Sequence, residues 1–492
     1  MQTNNLIKLA ESHTGLKTQL VNASLVAATE YRLDAPAFLA RQNVAGLLQF
    51  TGEGQTVSDL ADVFTVYIQS PVLAYVKPFP NSRPYMTTSE LAEYENGKET
   101  HVSLTADPRL IGWEIKKDNI VVSRSGRVGE AYWVDKKLDG VLVGDSFRVA
   151  PKKAGDRFFL YALLTSSMTR DFLSGSAYGS VVDHASLDQL RRFPIPPINA
   201  AAKKLISERV QRALQCREDA HELLHDSQDH LRIANGLTPL TEHTEPEFAE
   251  SSVVHTYVSS SEALDSTEGA SEFRLEAHFH NPTARSAIRR ILSCRSSTKT
   301  VRELSRDVIM GSRFKRNYVE ASYGTPFLSG RSIVQIRPTD LKYLSNSQTD
   351  DLSEMLVKRG WILVTCSGTI GRTCFVWKNF EDYAASQHIL RVLPNEDEVD
   401  PAYLYAFLSS EYGYEQIIRF RHGSVIDEIT DEQLKKVIVP LPSPAQQKEI
   451  GNLVRQAYEK RADALRLEDE AQKILMREIN ARNTKSKDCQ HV

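Results

Sequence analysis

The chain has 492 residues, 41% hydrophobic and 25% charged, an ordinary composition for globular domains and enough length for roughly two to four of them. Its net charge of −3 offers nucleic acid no overall attraction, although a sum over the chain leaves local basic patches open. Five cysteines (Cys216, Cys294, Cys366, Cys374 and Cys489) include no CxxC pair, which argues against a disulfide framework or a structural zinc site and fits a reducing cytosol.

Residues Met1–Leu6 show no basic region leading into an apolar run, so no signal peptide is expected. No window approaches the ~18 apolar residues of a membrane span, and a cytoplasmic location is expected.

In chain order, the dominant feature is one long internal repeat. Glu30-Tyr-Arg-Leu-Asp-Ala35 returns as Glu272-Phe-Arg-Leu-Glu-Ala277, and Thr56-Val-Ser-Asp-Leu60 as Thr300-Val-Arg-Glu-Leu304. Ser125-Gly126-Arg-Val-Gly129 returns as Ser367-Gly368-Thr-Ile-Gly371. Leu160-Tyr-Ala-Leu-Leu-Thr-Ser166 returns as Leu404-Tyr-Ala-Phe-Leu-Ser-Ser410, and Gly179-Ser-Val-Val-Asp183 as Gly423-Ser-Val-Ile-Asp427. An offset of about 242 to 244 positions in constant order is a domain duplication rather than a solenoid of small units.

Each copy opens on an extended stretch, near Glu30–Phe38 and Glu272–Phe279. Ile120-Val-Val122 and Trp361-Ile-Leu-Val364 are short apolar runs that read as buried strands, each leading through its Ser-Gly-x-x-Gly turn into a second strand, Ala131–Val134 or Thr373–Trp377. A helix carrying Leu-Tyr-Ala follows, and Ser186-x-x-Gln189 and Thr430-x-x-Gln433 form possible capping boxes. This is an α+β module present twice.

Each module ends in a proline-rich step, Phe193-Pro-Ile-Pro-Pro197 or Val439-Pro-Leu-Pro-Ser443. A long helix is expected after each, with Asn199 and Ser443 as N-caps and Pro444 at the first helical position. Ile206, Val210, Ala213, Arg217 and Ala220 in the first helix match Ile450, Val454, Ala457, Arg461 and Ala464 in the second, in the 4-3-4-3 steps of a heptad seam. Arg217 and Arg461 at that seam either fix register or meet a partner. The division expected is a first module 1–197, a helix 198–235, an acidic Ser/Thr-rich linker 236–264, a second module 265–442, a helix 443–482 and a flexible tail 483–492.

No catalytic motif stands out. Phe50-Thr-Gly-Glu-Gly54 resembles the loop of S-adenosylmethionine enzymes, but no Asn-Pro-Pro-Tyr type tetrapeptide accompanies it, and a plain Gly-rich turn is expected. Asp107 with Glu114-Ile-Lys116 faintly resembles a nuclease metal site, but the second copy lacks the carboxylate and a solvated charged edge is expected. The histidines form no metal-ligand spacing with cysteine or carboxylate, so no metal site is expected.

The candidate DNA contacts are basic positions in loops. The turns holding Gly126, Gly129, Gly368 and Gly371 read either as tight hairpin turns or as nests of N–H groups for phosphate, and Arg124, Arg127 and Arg372 beside them lean towards DNA. Arg313-Phe-Lys315-Arg316 and Arg419-Phe-Arg421 place cations around an aromatic ring, suited to phosphate or base, with a solvated loop as the alternative.

Taken together, the turn after an apolar strand, the Leu-Tyr-Ala-Phe-Leu-Ser-Ser helix, the Pro-Leu-Pro step and the long helix from Gln446 to Ile479 resemble the specificity subunit of type I restriction–modification systems. The likeness covers roughly residues 30–232 and 265–482, and the first copy departs from it with Arg-Val inside its turn and Pro-Ile-Pro-Pro at its step. The resemblance implies two tandem target-recognition domains, each reading one half of a split, asymmetric DNA site, and two helices packed as an antiparallel coiled-coil spacer. A helix of ~30 residues spans about 45 Å, or ~13 base pairs.

The resemblance also implies a non-catalytic chain. Two adenine-N6 methyltransferase subunits would bring S-adenosylmethionine, and restriction–translocase subunits ATP and Mg2+, with double-stranded DNA as the common ligand. A DNA-targeting subunit of another phage-defence complex, and a protein scaffold that never touches DNA, are the alternatives.

Overall fold

The computed structural model describes residues 54–66, 71–76, 78–93, 100–175, 184–240, 264–265, 272–273, 276–339 and 341–488. The extended stretch at Glu30–Phe38, most of the Phe50–Gly54 turn and the Gly179–Asp183 segment lie outside them. The chain forms two compact units, one of residues 1–91, 99–210 and 469–492, the other of residues 92–98 and 211–468.

In the first unit, Thr56 opens a one-turn helix, Val57–Leu60, by a capping box with Asp59. Strand Ala61–Val66 leads into a sheet ordered Ala61–Val66, Ser146–Pro151, Ile120–Ser123, Ala131–Trp133, every neighbour antiparallel. A smaller sheet runs Tyr75–Val76, Thr100–Ser103, Ser82–Met86, Leu142–Val143, its last pairing parallel.

The second unit repeats this arrangement strand for strand. A capping box from Thr300 to Glu303 opens Val301–Leu304. The larger sheet runs Ser305–Met310, Ile389–Pro394, Ile362–Thr365, Thr373–Phe375, and the smaller Tyr318–Val319, Lys342–Ser345, Gly324–Leu328, Ala384–Ala385. The fold class is α+β, two tandem modules each followed by a long helix.

Hydrophobic burial explains the shared elements. Ile120, Val121, Val122 and their counterparts Ile362, Leu363 and Val364 are fully buried, as a central strand covered on both faces requires. Helices Arg157–Leu164 and Pro401–Ser409 bury almost every side chain, which is why their Leu-Tyr-Ala sequence recurs. Each fully buried Leu or Phe contributes about 1.5–3 kcal/mol. Burial also pushes the Cys366 and Cys374 thiols up to about 12, so both serve as neutral packing groups.

The second unit adds a helix that periodicity did not suggest, Pro282–Leu292, with Asn281 capping Thr283 and Pro282 at its first position. Strand Ser297–Thr300 pairs antiparallel with Ile438–Leu441, holding the proline-rich step against the start of the repeat. Gly236 ends the first long helix at φ 68°, and Leu237 and Leu240 after it are buried in the core. Residues 241–263 of the expected linker lie outside the described ones.

The long helices are Ala200–Asn235 and Pro444–Asp488. The second runs past the expected end at 482, since 483–488 contain no proline or glycine to stop it. The two run antiparallel. In the first unit Arg209 pairs with Glu470 at 2.8 Å, and in the second Arg217 with Glu468 and Lys460 with Asp219, both at 2.7 Å. Ile206, Val210, Ala213, Ala220, Ile450, Val454, Ala457 and Ala464 are buried, and Arg461 lies over the Tyr458 ring at 4.9 Å. Alanines at a seam allow two helix backbones to approach closely.

The second long helix is also locked onto its module. Tyr458 is buried and its hydroxyl accepts the Phe375 N–H at 2.9 Å. Arg455 grips Asp400 in a two-pronged pair, 2.9 Å on each arm, and a Cβ on Gly451 would sit 2.4 Å from the same carboxylate. Among the described residues, no helix is long and apolar enough to cross a membrane.

Ala213 and Ala464 meet in one buried cluster with Leu467. Ala464→Leu should therefore overpack it and lower stability by about 1–3 kcal/mol, with Gln456→Ala on the exposed side within about 0.5. Denaturant midpoints of the two variants test this.

Candidate nucleic-acid interface

The two Ser-Gly-x-x-Gly turns connect equivalent strand pairs. All four glycines are left-handed: Gly126 at φ 68°, Gly129 at 85°, Gly368 at 74° and Gly371 at 83°. Their N–H groups largely point into the chain. Gly129 donates to Ser123 O at 2.9 Å, Gly371 to Thr365 O at 3.0 Å and Gly368 to Asp427 O at 2.9 Å. Each turn is also bridged from behind, Ser125 to His184 and Ser367 to Glu428. Of the two readings, these bonds fit the tight turn.

Two of the arginines beside the turns pair with carboxylates. Arg124 pairs with Asp145 at 2.7 Å and Arg127 with Glu130 at 3.6 Å. Arg372 and Arg421 both lie near Tyr414, whose hydroxyl is raised by burial and drawn back by these cations. Arg421 also reaches Asp427 at 4.0 Å, and Arg419 stacks on the Phe279 ring at 3.9 Å.

The loop at 313–316 differs. Arg313 and Lys315 are exposed, and neither meets a carboxylate among the described residues. Arg316 donates to Gln387 at 2.7 Å and lies over the Phe327 ring at 5.4 Å. The structure thus gathers the expected cations of the second unit into two places, the Tyr414 surroundings and the 313–316 loop.

Several features escaped sequence reasoning. Arg148 and Arg391 occupy equivalent strand positions and are almost fully buried. Arg148 donates to Trp113 O and, at 3.2 Å, to Val143 O in the smaller sheet, and Arg391 donates to Glu354 O at 2.5 Å. Burial lowers Arg148 to about 10, which still leaves it charged at neutral pH. The repeat offset could have paired these arginines. At the tip of the Gly423–Asp427 loop Val425 is 92% exposed and Ile426 57%, with Gly423 at φ 117°.

The carboxylates of the faint metal motif go elsewhere. Arg109 beside Asp107 holds its carboxyl down to about 2, and Glu114 pairs with Arg83 at 3.5 Å. Among the described residues, no group of three His, Cys, Asp or Glu could hold a metal ion.

Residues 299–465 match the family described as type I restriction modification DNA specificity domain. The chain carries a DNA specificity domain of that family. The match begins in strand Ser297–Thr300 and runs into the second long helix, so it takes in the larger sheet, the smaller sheet and the 313–316 loop.

The S subunit of a type I restriction–modification system from M. genitalium is 13% identical over 87% of this chain and 94% of its own, with a TM-score of 0.33. The HsdS subunit from Thermoanaerobacter tengcongensis is 16% identical over 86% and 95%, with a TM-score of 0.27. No curated protein matches this chain. The assignment of the specificity domain rests on the family match.

A Cβ on Gly371 would lie 3.1 Å from the Tyr414 ring and 3.2 Å from Ile418, whereas one on Gly368 meets nothing within 4 Å. Gly368→Ala should cost about 1–2 kcal/mol of left-handed strain, and Gly371→Ala clearly more. Thermal unfolding of the two variants side by side tests the difference.

Proposed function

We propose that the chain is the DNA-recognition subunit of a type I restriction–modification complex and that each module reads one half of a split site. One observation carries the proposal: a specificity-domain fold that occurs twice with the same strand order, each copy followed by a long helix of one antiparallel pair.

The chain makes no bond itself in this reading. Two methyltransferase subunits, supplying S-adenosylmethionine, modify adenine in each half-site, and restriction–translocase subunits using ATP and Mg2+ act on unmodified DNA. The exposed cations Arg313 and Lys315, with Arg316, supply phosphate contacts that no carboxylate neutralises among the described residues.

The helix pair sets the separation of the half-sites. Each unit holds a stretch of that pair, while the side chains of each module are tuned to its own text. Different side chains at matching places in the two modules favour an asymmetric site.

Long-read sequencing for base modification, in cells that carry this chain and its methyltransferase partner, tests the proposal. The expected result is one split motif with modified adenine in both halves. A genome without such a motif, with an active partner present, would overturn it.

A further inference from the structure

The smaller sheet of each unit opens with the same dipeptide at the same repeat position, Tyr75-Val76 and Tyr318-Val319. Both tyrosines are exposed, 62% and 43%, although each sits opposite a fully buried residue, Val102 or Leu344. Each ring leans on a second aromatic of the same sheet. Tyr75 meets Tyr85 edge-on at 6.5 Å between centroids, and Tyr318 is tilted against Phe327 at 6.3 Å.

The surroundings of this shared tyrosine differ between the units. The Lys342 ammonium lies 4.9 Å from the Tyr318 ring centre, and its counterpart in the first unit is Thr100. Lys342 is exposed and has no carboxylate partner among the described residues, like Arg313 and Lys315 in the preceding loop.

We infer that this exposed edge of the smaller sheet is the base-reading surface, with Tyr318 and Lys342 determining specificity in the second module and Tyr75 in the first. The inference rests on the reading of the chain as a DNA-recognition subunit. These side chains lie on the edge strand of the sheet and the strand beside it, and an antiparallel edge of two strands fits the major groove, ~12 Å wide, where lysine reads guanine O6 and N7 and an apolar ring edge meets the thymine methyl. The unpaired cations beside it suit phosphates, whereas lysine is depleted in protein–protein interfaces. A common tyrosine with a changed neighbour gives both modules one way of docking and two different texts.

The test uses the full chain with its methyltransferase partner and the modified motif as readout. Lys342→Ala should relax one base position in one half-site only, with discrimination there falling by about tenfold, the other half unchanged. Tyr318→Ala should weaken modification through the same half, Tyr318→Phe should retain the wild-type motif, and Tyr75→Ala should act on the opposite half. A wild-type motif in both Lys342→Ala and Tyr318→Ala overturns the inference, as does equal loss of both halves in Lys342→Ala. Should Tyr318→Ala not fold, Lys342→Ala decides, because removing an exposed lysine leaves the core intact. No split motif in the wild type would instead overturn the proposed function.

Discussion

Two long helices pack antiparallel along a seam of small and aliphatic side chains, and each unit is built on its own stretch of that contact. Each unit contains part of both helices, and Leu231, Ile450, Val454 and Tyr458 from them lie in the core of the second. The alanines at 213, 220, 457 and 464 are fully buried and bring the backbones close. The ion pairs Arg209–Glu470, Arg217–Glu468 and Lys460–Asp219 lie beside the seam and fix its register more than its strength, since partly exposed pairs are worth little.

From that base the modules divide their work between two sheets. The larger sheet is core, its central strand buried on both faces and its glycine turn bonded inward. The smaller sheet leaves polar and aromatic groups outside. The buried guanidinium of Arg148 bonds to the carbonyl of Val143, joining the two sheets through backbone oxygen. A permanent charge there, bonded through its two terminal nitrogens to backbone oxygens while Nε stays unpaired, ties the sheets in a way that a flexible apolar contact would not.

Much of the fold was legible in the sequence because the repeat marks equivalent elements twice. The strands at Ile120 and Ile362, the capping boxes at Ser186 and Thr430 and the seam positions all follow from local chemistry. The capping boxes at Thr56 and Thr300 and the Asn281-Pro282 helix start were present in the sequence but weakly signalled, since two of the helices they open are a single turn long. The outward-facing surface was much less legible. The carboxylate neighbours of Arg124 and Arg127, Asp145 and Glu130, became clear only once folding placed them. Tyr75 and Tyr318 look like ordinary strand residues, and only the register of the small sheet leaves their rings exposed.

In the proposed function the length of the helix pair sets the gap between the two half-sites. Inserting one heptad into each long helix, at paired positions that keep the seam in step, tests it most directly. Seven residues add about 10.5 Å, or ~3 base pairs, to the pair. The account predicts that both half-sites keep their sequences while the gap between them in the modified motif widens by about that amount. An unchanged gap, with the lengthened chain still directing modification, would contradict it.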